Sequence, residues 1–365
     1  MAHAASEPLI IGGGPAGSAA AVILARSGMI PTVVERRLSC QNGVCGGFLG
    51  WDAIAALTDL GVDPWALGAR PITRFRLISG DRRVEAALPG VAAGLSRSTL
   101  DEALLASAAA AGALISRGRT ARAIDPAARS VRFDNGETWT SEALFLGVGK
   151  HELRGLQRDA SGASSVGLRT TLPASAALHN ALENRVELHL FNDGYAGLLL
   201  QEDGSANLCL SVSRDRLSAA GSVPDLVAQL TREAPVLGER LGNSPPHHFD
   251  AIAGVPYGWR ARESCEGVFR IGDQSAVIAS LAGDGIAIAL ASGVSAARAL
   301  LAGGPQAAPA WQRKWRRECN APVGVAEALR RGAARPLARG ALMTLLHLAP
   351  GLGTGAAALT RIRAG

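Results

Sequence analysis

The hydrophobic pattern changes character twice along the chain. Leu9-Ile10-Ile11 is a short unbroken apolar run, the signature of a parallel strand buried on both faces. Residues 18–27 are Ala-rich with Leu and Ile at helical spacing, Gly28 ends the run, and Pro31-Thr32-Val33-Val34-Glu35 predicts a second strand closing on an acid. A strand–loop–helix order returns late, where 268–271 leads through a glycine-bearing loop into an Ala-rich helix over 287–301; 143–148 reads as another strand. Between about 160 and 260 the period shortens to two. Segments 185–191 and 206–212 alternate, and Asp203-Gly204 marks a hairpin turn, so this stretch predicts antiparallel sheet. In the tail, 328–363, Leu342, Leu345 and Leu346 make an apolar helical face beside Arg330, Arg331, Arg335, Arg339, Arg361 and Arg363.

Composition narrows the classes. At 365 residues the chain is one large domain or two interleaved ones, and 48% apolar against 19% charged residues excludes a disordered protein. The net charge of +6 admits an anionic ligand, a membrane surface or nucleic acid. No interleaving of aromatic and basic residues suited to stacking bases occurs, so no nucleic-acid partner is expected. Cys40, Cys45, Cys209, Cys265 and Cys319 are odd in number and form no CxxC pair, which predicts neither a metal site nor a disulfide framework. No apolar segment precedes the motif at residue 12 and no run approaches the roughly 20 residues of a membrane span, so the chain reads as cytoplasmic.

The first turn carries chemistry. Gly12-Gly13-Gly14-Pro15-Ala16-Gly17 places Gly12, Gly14 and Gly17 at the three positions of a dinucleotide fingerprint: a tight turn, a backbone open to a pyrophosphate, and a close helix–strand contact. The following helix offers its N-terminal N–H groups to phosphate. Glu35 lies 21 residues after Gly14, where a carboxylate accepts ribose hydroxyls and disfavours a 2′-phosphate. The late loop adds a second clamp, with Gly272-Asp273 at the strand end and Gly283-Asp284-Gly285-Ile286 at the helix start. One long cofactor held from both ends of the chain is what FAD requires.

With these motifs the chain resembles the FAD-dependent oxidoreductases that include para-hydroxybenzoate hydroxylase and geranylgeranyl reductase. The likeness extends to Glu35-Arg36-Arg37, to Cys45-Gly46-Gly47-Phe48-Leu49, and to Ser96-Arg97-Ser98-Thr99-Leu100-Asp101. It implies a mixed α/β architecture: a glutathione-reductase-type, Rossmann-like βαβ fold, an interleaved antiparallel-sheet substrate domain and C-terminal helices. The expected partition is FAD binding over 1–75, 96–160 and 263–305, the substrate domain over 76–95 and 161–262, and a helical region over 306–365. The cofactor contacts it implies are Gly12, Gly14, Pro15, Ala16, Gly17, Glu35, Arg36, Cys45, Gly46, Gly47, Arg97, Gly147, Gly272, Asp273, Gly283, Gly285 and Ile286. Three departures stand out. Ala279 replaces a Pro before the late glycines, which suggests a more mobile loop over the flavin. Gly147-Val148-Gly149-Lys150 replaces an Asp-Gly motif linked to nicotinamide use, which counts against direct reduction by NAD(P)H and leaves the electron donor open between NAD(P)H and another donor. Gly197, Leu199 and Leu200 stand where geranylgeranyl reductases carry a Trp and a Phe-Pro.

Few side chains stand out as catalytic candidates. Cys45 lies against the flavin by resemblance, or is a small buried hydrophobe. Tyr195 orients substrate, or is a half-buried sheet residue, the more frequent case. Arg97 at a helix start calls for an anion, the FAD phosphates or flavin edge. His151 is a proton carrier or, preferably, a surface residue, and His247-His248 a solvated loop. The Arg-rich tail covers the domain or makes a dimer contact, in preference to a peripheral membrane contact. The leading expectation is a flavin monooxygenase acting on an apolar aromatic or polyketide-like molecule. A flavin-dependent reductase of C=C bonds and a flavin-binding protein without turnover are the alternatives.

Overall fold

The computed structural model describes residues 2–5, 7–158, 165–242 and 246–362. Arg363 and the expected boundary at 160/161 lie outside the described residues. In chain order, β1 (Ala2–Ala5), β2 (Leu9–Ile11), α1 (Pro15–Arg26) and β3 (Thr32–Glu35) are followed by β4 (Phe48–Leu49) and α2 (Trp51–Asp59). Two long strands, β5 (Arg70–Ser79) and β6 (Arg82–Gly94), lead to α3 (Arg97–Ala110) and β7 (Leu114–Arg117). Then come β8 (Ala121–Asp125), β9 (Ser130–Phe133), β10 (Thr138–Ser141) and β11 (Leu144–Leu146). The middle holds β12 (Ser165–Leu172), α4 (Ala176–Leu182), β13 (Asn184–Phe191), β14 (Gly194–Leu200) and β15 (Ala206–Ser213). After α5 (Arg214–Ala220), α6 (Val223–Glu233), α7 (Pro235–Leu241) and β16 (Asp250–Val255), the chain forms β17 (Val268–Arg270), α8 (Gly285–Gly303), α9 (Ala308–Ala334), α10 (Pro336–Leu348) and α11 (Gly351–Leu359).

The unbroken apolar runs become a five-stranded parallel sheet in the order β17–β11–β2–β3–β7. β2 and β11 are buried along their whole length, which explains why neither alternates. α1 and α8 pack together on one face so closely that a methyl on Gly293 would sit 2.2 Å from the Ala16 carbonyl oxygen. At 19 residues, α8 is long and apolar enough to cross a membrane, contrary to the expectation that no run approaches that length. Its apolarity serves the core: Ile286, Ile288, Leu290 and Ala297 are buried between layers.

The second layer is an eight-stranded sheet ordered β16–β12–β15–β14–β13–β5–β6–β4. It departs from the expected antiparallel sheet at one pair, since β5 and β13 run parallel. The sheet is assembled from two separate stretches of chain that meet edge to edge there, so no hairpin dictates their relative direction. The expected boundary at 75/76 falls inside β5, a ten-residue strand already paired with β6 from Arg70.

The two faces of β13 differ sharply. Val186, Leu188 and Leu190 face one side; Glu187 and His189 face the other, towards α7. Glu187 is fully buried, and accepts from Arg76 Nη1 at 2.8 Å and Arg240 Nε at 3.0 Å, with His189 Nε2 at 3.2 Å. Burial alone would raise this carboxyl, but the hydrogen bonds of His189 and Arg240 outweigh it and hold it at about 2. A carboxylate depressed in this way stabilises the fold above its ordinary value of 4.5 and stops doing so as pH falls through about 2. Glu187→Gln should therefore cost about 3 kcal/mol at neutral pH, and its stability should converge on wild type between those two pH values. Urea unfolding of both proteins across that window checks it.

Candidate active site

The glycine fingerprint is set by backbone contacts. Gly12 has φ +106°, its N–H donates to Val34 O at 2.8 Å, and a Cβ there would lie 2.4 Å from the Gly147 carbonyl oxygen. A Cβ on Gly17 would lie 1.9 Å from the Gly12 oxygen. Packing alone thus requires two of the three glycines. Gly14 is different: its Cβ would meet only Arg97 Nη2, at 3.4 Å, so the space beside it is open to a ligand. Pro15 occupies the first helical position, and α1 has no side-chain cap and no acid in its first turn. Its N–H groups face a cleft lined by Glu35, Arg36, Arg97, Gly147, Lys150 and Asp273. Glu35 accepts from the N–H of Gly13 at 2.9 Å and of Arg37 at 3.1 Å, which binds the second strand to the glycine loop. Burial and the neighbouring Arg37 pull Arg36 below its usual range, a strain that an anion in the cleft relieves.

Gly272 (φ +58°) donates its N–H to Ser292 Oγ at 2.8 Å, and the carboxylate of Asp273 lies 3.3 Å from Lys150 Nζ. Arg158 and Gln274 join this turn to the segment after β11. Arg158 Nη1 donates to the carbonyls of Asp273 and Gly149, and Gln274 Nε2 to those of Gly149 and His151. Gly283 (φ +77°) packs so tightly on the Phe48 ring that a Cβ would come within 2.8 Å, whereas Gly285, at the uncapped start of α8, has open space beside it. Between them Asp284 is buried. Burial pushes its carboxyl up to about 7 against the opposing pull of Arg361, whose guanidinium touches it. Arg361 also reaches Asp52 at 3.1 Å and lies over the Trp51 ring at 4.1 Å.

The Cys45-Gly46-Gly47 segment is pinned from below. Asn207 Nδ2 on β15 donates to the carbonyls of Cys45 and Gly46 at 2.9 and 2.8 Å, and its Oδ1 accepts from Arg169 Nε at 2.8 Å. Cys45 lies within electrostatic reach of Arg97 and Lys150. Arg97 finds an anion one turn along its own helix, where Asp101 takes Nε at 2.9 Å and Nη2 at 2.7 Å, while its side chain still borders the cleft.

Beyond Lys150 the cleft opens into a second cavity; Val44, Lys150 and Ile252 line both. This cavity is almost wholly apolar. Its floor draws on strands from β16 (Ile252) to β6 (Leu88), six steps across the sheet, so it extends roughly 29 Å along that curved surface. α9, α10 and α11 roof it, through Leu329, Leu342, Leu346 and Ala357 among others. Its polar lining is Lys150 at the junction, Tyr195, Cys209 and Ser211 on the sheet, Tyr257 and Ser280, and Thr360 and Arg361 at the C-terminal end. The Tyr257 hydroxyl and Ser280 Oγ are 2.9 Å apart, and Tyr195 is buried with its hydroxyl aimed towards Ser280 without closing a hydrogen bond. Tyr195 is thus fully buried rather than half-buried.

Of the expected cofactor residues, the structure gathers Gly12, Gly14, Glu35, Arg36, Arg97, Gly147 and Asp273 around one cleft, whereas Pro15, Ala16, Gly17, Cys45, Gly47, Gly272, Gly285 and Ile286 do not line it. Gly46 and Gly283 border the adjoining cavity, and Tyr195 lines that cavity alone. His151, His247 and His248 are exposed. Lys150, Asn207, Ser280, Tyr257 and the Arg361–Asp284 contact had no role in the sequence reading. For Lys150 a signal existed: of 37 basic residues only Lys150 and Lys314 are lysines, so this one interrupts a strong preference for Arg.

The residues present suit FAD. The uncapped N-terminus of α1, an open Gly14 and a cationic rim meet at one cleft. Independent comparisons agree. Residues 6–138 match the family model of the FAD binding domain. Curated protein sequences yield no significant match. Among solved structures, the flavin-dependent brominase Bmp2 superposes with a TM-score of 0.76 at 16% identity, covering 100% of this chain and 96% of that one. PqsL from Pseudomonas aeruginosa, described as a probable FAD-dependent monooxygenase, gives 0.69 at 16% identity over 93% and 99%. A geranylgeranyl bacteriochlorophyll reductase-like protein from Thermoplasma acidophilum gives 0.69 at 17% identity over 92% and 88%.

Glu35→Ala should weaken FAD binding about ten- to a hundredfold, the worth of one or two hydrogen bonds to a charged acceptor; titration of the flavin-free protein by flavin fluorescence measures it. Residues 6–138 match the FAD binding domain, which supports FAD as the cofactor, and the whole chain has the fold of the flavin-dependent brominase, the probable FAD-dependent monooxygenase and the geranylgeranyl bacteriochlorophyll reductase-like protein.

Proposed function

We propose that this flavoprotein is a monooxygenase that oxygenates an extended apolar small molecule, aromatic or polyketide-like, at the junction marked by Val44, Lys150 and Ile252. The observation that carries this reading is that the cofactor cleft adjoins a long apolar cavity, roofed by the C-terminal helices, across Val44, Lys150 and Ile252. Bound FAD supplies the redox chemistry, since its reduced ring activates molecular oxygen. One oxygen atom goes to the substrate carbon and the other to water, with two electrons from NAD(P)H or another external donor. The chain's own contribution is placement and exclusion of water. Leu188, Leu190 and Leu77 hold an apolar substrate by burial, and water has few polar groups to occupy there. Lys150 stays protonated because Asp273 beside it outweighs the cost of burial. It is therefore a fixed cation where a phenol or enol oxygen develops negative charge as the ring carbon is attacked. Cys45 stands close by, within reach of two cations, as a positioning group for the same edge.

Two measurements test this. The FAD-loaded protein, reduced anaerobically and mixed with oxygen in the presence of a panel of alkylated phenols, should reoxidise through a transient absorbing species. It should yield a product carrying one atom of labelled oxygen. Reduced flavin that persists in air and is reoxidised only by an enone or polyene would overturn the reading in favour of C=C reduction. Lys150→Gln should retain the bound flavin spectrum while lowering kcat/KM about ten- to a hundredfold, the effect of losing one charged hydrogen bond.

A further inference from the structure

The roof of the substrate cavity has a second face. α10 and α11 meet at a bend of 116°. Their inner sides supply Leu342, Leu346, Gly353 and Ala357 to the cavity. Their outer sides present Leu337, Leu345, Leu348, Leu352 and Leu359 to solvent, five of the eleven large exposed apolar side chains among the described residues. Leu337 is 91% and Leu348 77% exposed. On α10 the exposed positions Leu337, Ala341, Leu345 and Leu348 recur at three- and four-residue spacing, so they form one stripe, and Leu352 continues it past the bend. Leu345, expected to form one apolar face with Leu342 and Leu346, belongs to this outer stripe instead. Single exposed leucines are ordinary; a stripe continued across two helices marks a contact surface.

Charge indicates what covers it. No Asp or Glu follows Glu327 in the chain. Arg330 and Arg331 are neutralised by Glu327, and Arg361 by Asp284 and Asp52. The rim of the stripe is cationic nonetheless. Arg335 is exposed at the start of α10 with no acidic partner among the described residues. Arg82 lies against α10, donating to Gly340 O and Thr344 Oγ1, so its guanidinium charge is held by neutral acceptors. An apolar stripe flanked by cations and lacking acids matches the interface of a bilayer that contains anionic phospholipid.

We infer that α10 and α11 form a pad that seats on an anionic membrane surface, with Leu337, Leu345, Leu348 and Leu352 in the acyl boundary and Arg82 and Arg335 at headgroup level. Because the inner side of the pad is the cavity roof, an apolar substrate dissolved in the bilayer reaches the site without crossing water. That last step rests on the reading of the cavity as the substrate site; the seating itself does not.

The test uses the full FAD-loaded chain and sedimentation with vesicles of phosphatidylcholine, with and without phosphatidylglycerol. The protein should sediment with the anionic vesicles and much less with the neutral ones. A triple variant, Leu337→Gln, Leu348→Gln and Leu352→Gln, should lose about a hundredfold or more in partitioning, with flavin spectrum and Tm kept. Arg82→Gln with Arg335→Gln should lose about tenfold, and the remainder should no longer respond to salt. Wild type that stays in the supernatant with both vesicle types overturns the inference. So does a dimer that forms without vesicles and that the triple variant converts to monomer, because a second copy then covers the stripe. Vesicle binding without substrate oxygenation would keep the pad and refute only the proposed reaction.

Discussion

Three contacts in which backbone meets backbone leave no room for a side chain: Gly12 against Gly147, Gly17 against Gly12, and Gly293 against Ala16. Together they press α1 between the parallel sheet and α8, and hold the N-terminus of α1 at the cleft that Gly12 and Gly14 line. A methyl group at any of the three would move the helix axis, and with it the partial positive charge at that N-terminus. The cofactor site follows from close packing before any charged side chain is considered.

Charge then refines what packing has built. The loops after β11 and β17 are joined through Arg158 and Gln274, and that junction carries the Lys150–Asp273 pair to the mouth of an apolar cavity. A cation there costs little because its partner is fixed beside it, yet it keeps a free side toward the cavity. On the far side of the sheet Glu187 makes the opposite use of charge, wholly enclosed by Arg76, Arg240 and His189 and remote from the cavity. One strand, β13, thus separates a polar structural network from an apolar binding surface by the alternation of its side chains.

Much of this was legible in the residues. The glycine fingerprint, the strand before it, Glu35 and the late Gly-Asp loop are local signals, because turn geometry and helix starts depend on neighbours in sequence. The alternation over 185–191 and 206–212 likewise predicted strands, since period two has one physical cause. The parallel pairing of β5 with β13 and the outward turn of Leu345 were not legible. Each depends on which distant segment arrives alongside. Helical spacing shows that Leu342, Leu345 and Leu346 share a helix, but the width of the buried stripe is decided by what packs on it.

By itself, then, the sequence determined a dinucleotide fingerprint closed by an acid at Glu35, and the succession of parallel and alternating strands. These are consequences of short-range sterics, of hydrogen bonding and of periodicity. Only the tertiary structure decided that Lys150 stands where cleft and cavity meet, that Arg361 reaches Asp284 from the other end of the chain, and that the tail roofs the cavity. Those are meetings between residues far apart in sequence, and nothing in a residue's own neighbourhood encodes the direction from which its partner comes. The dinucleotide fold was written in a run of six residues; the site it serves needed the whole chain.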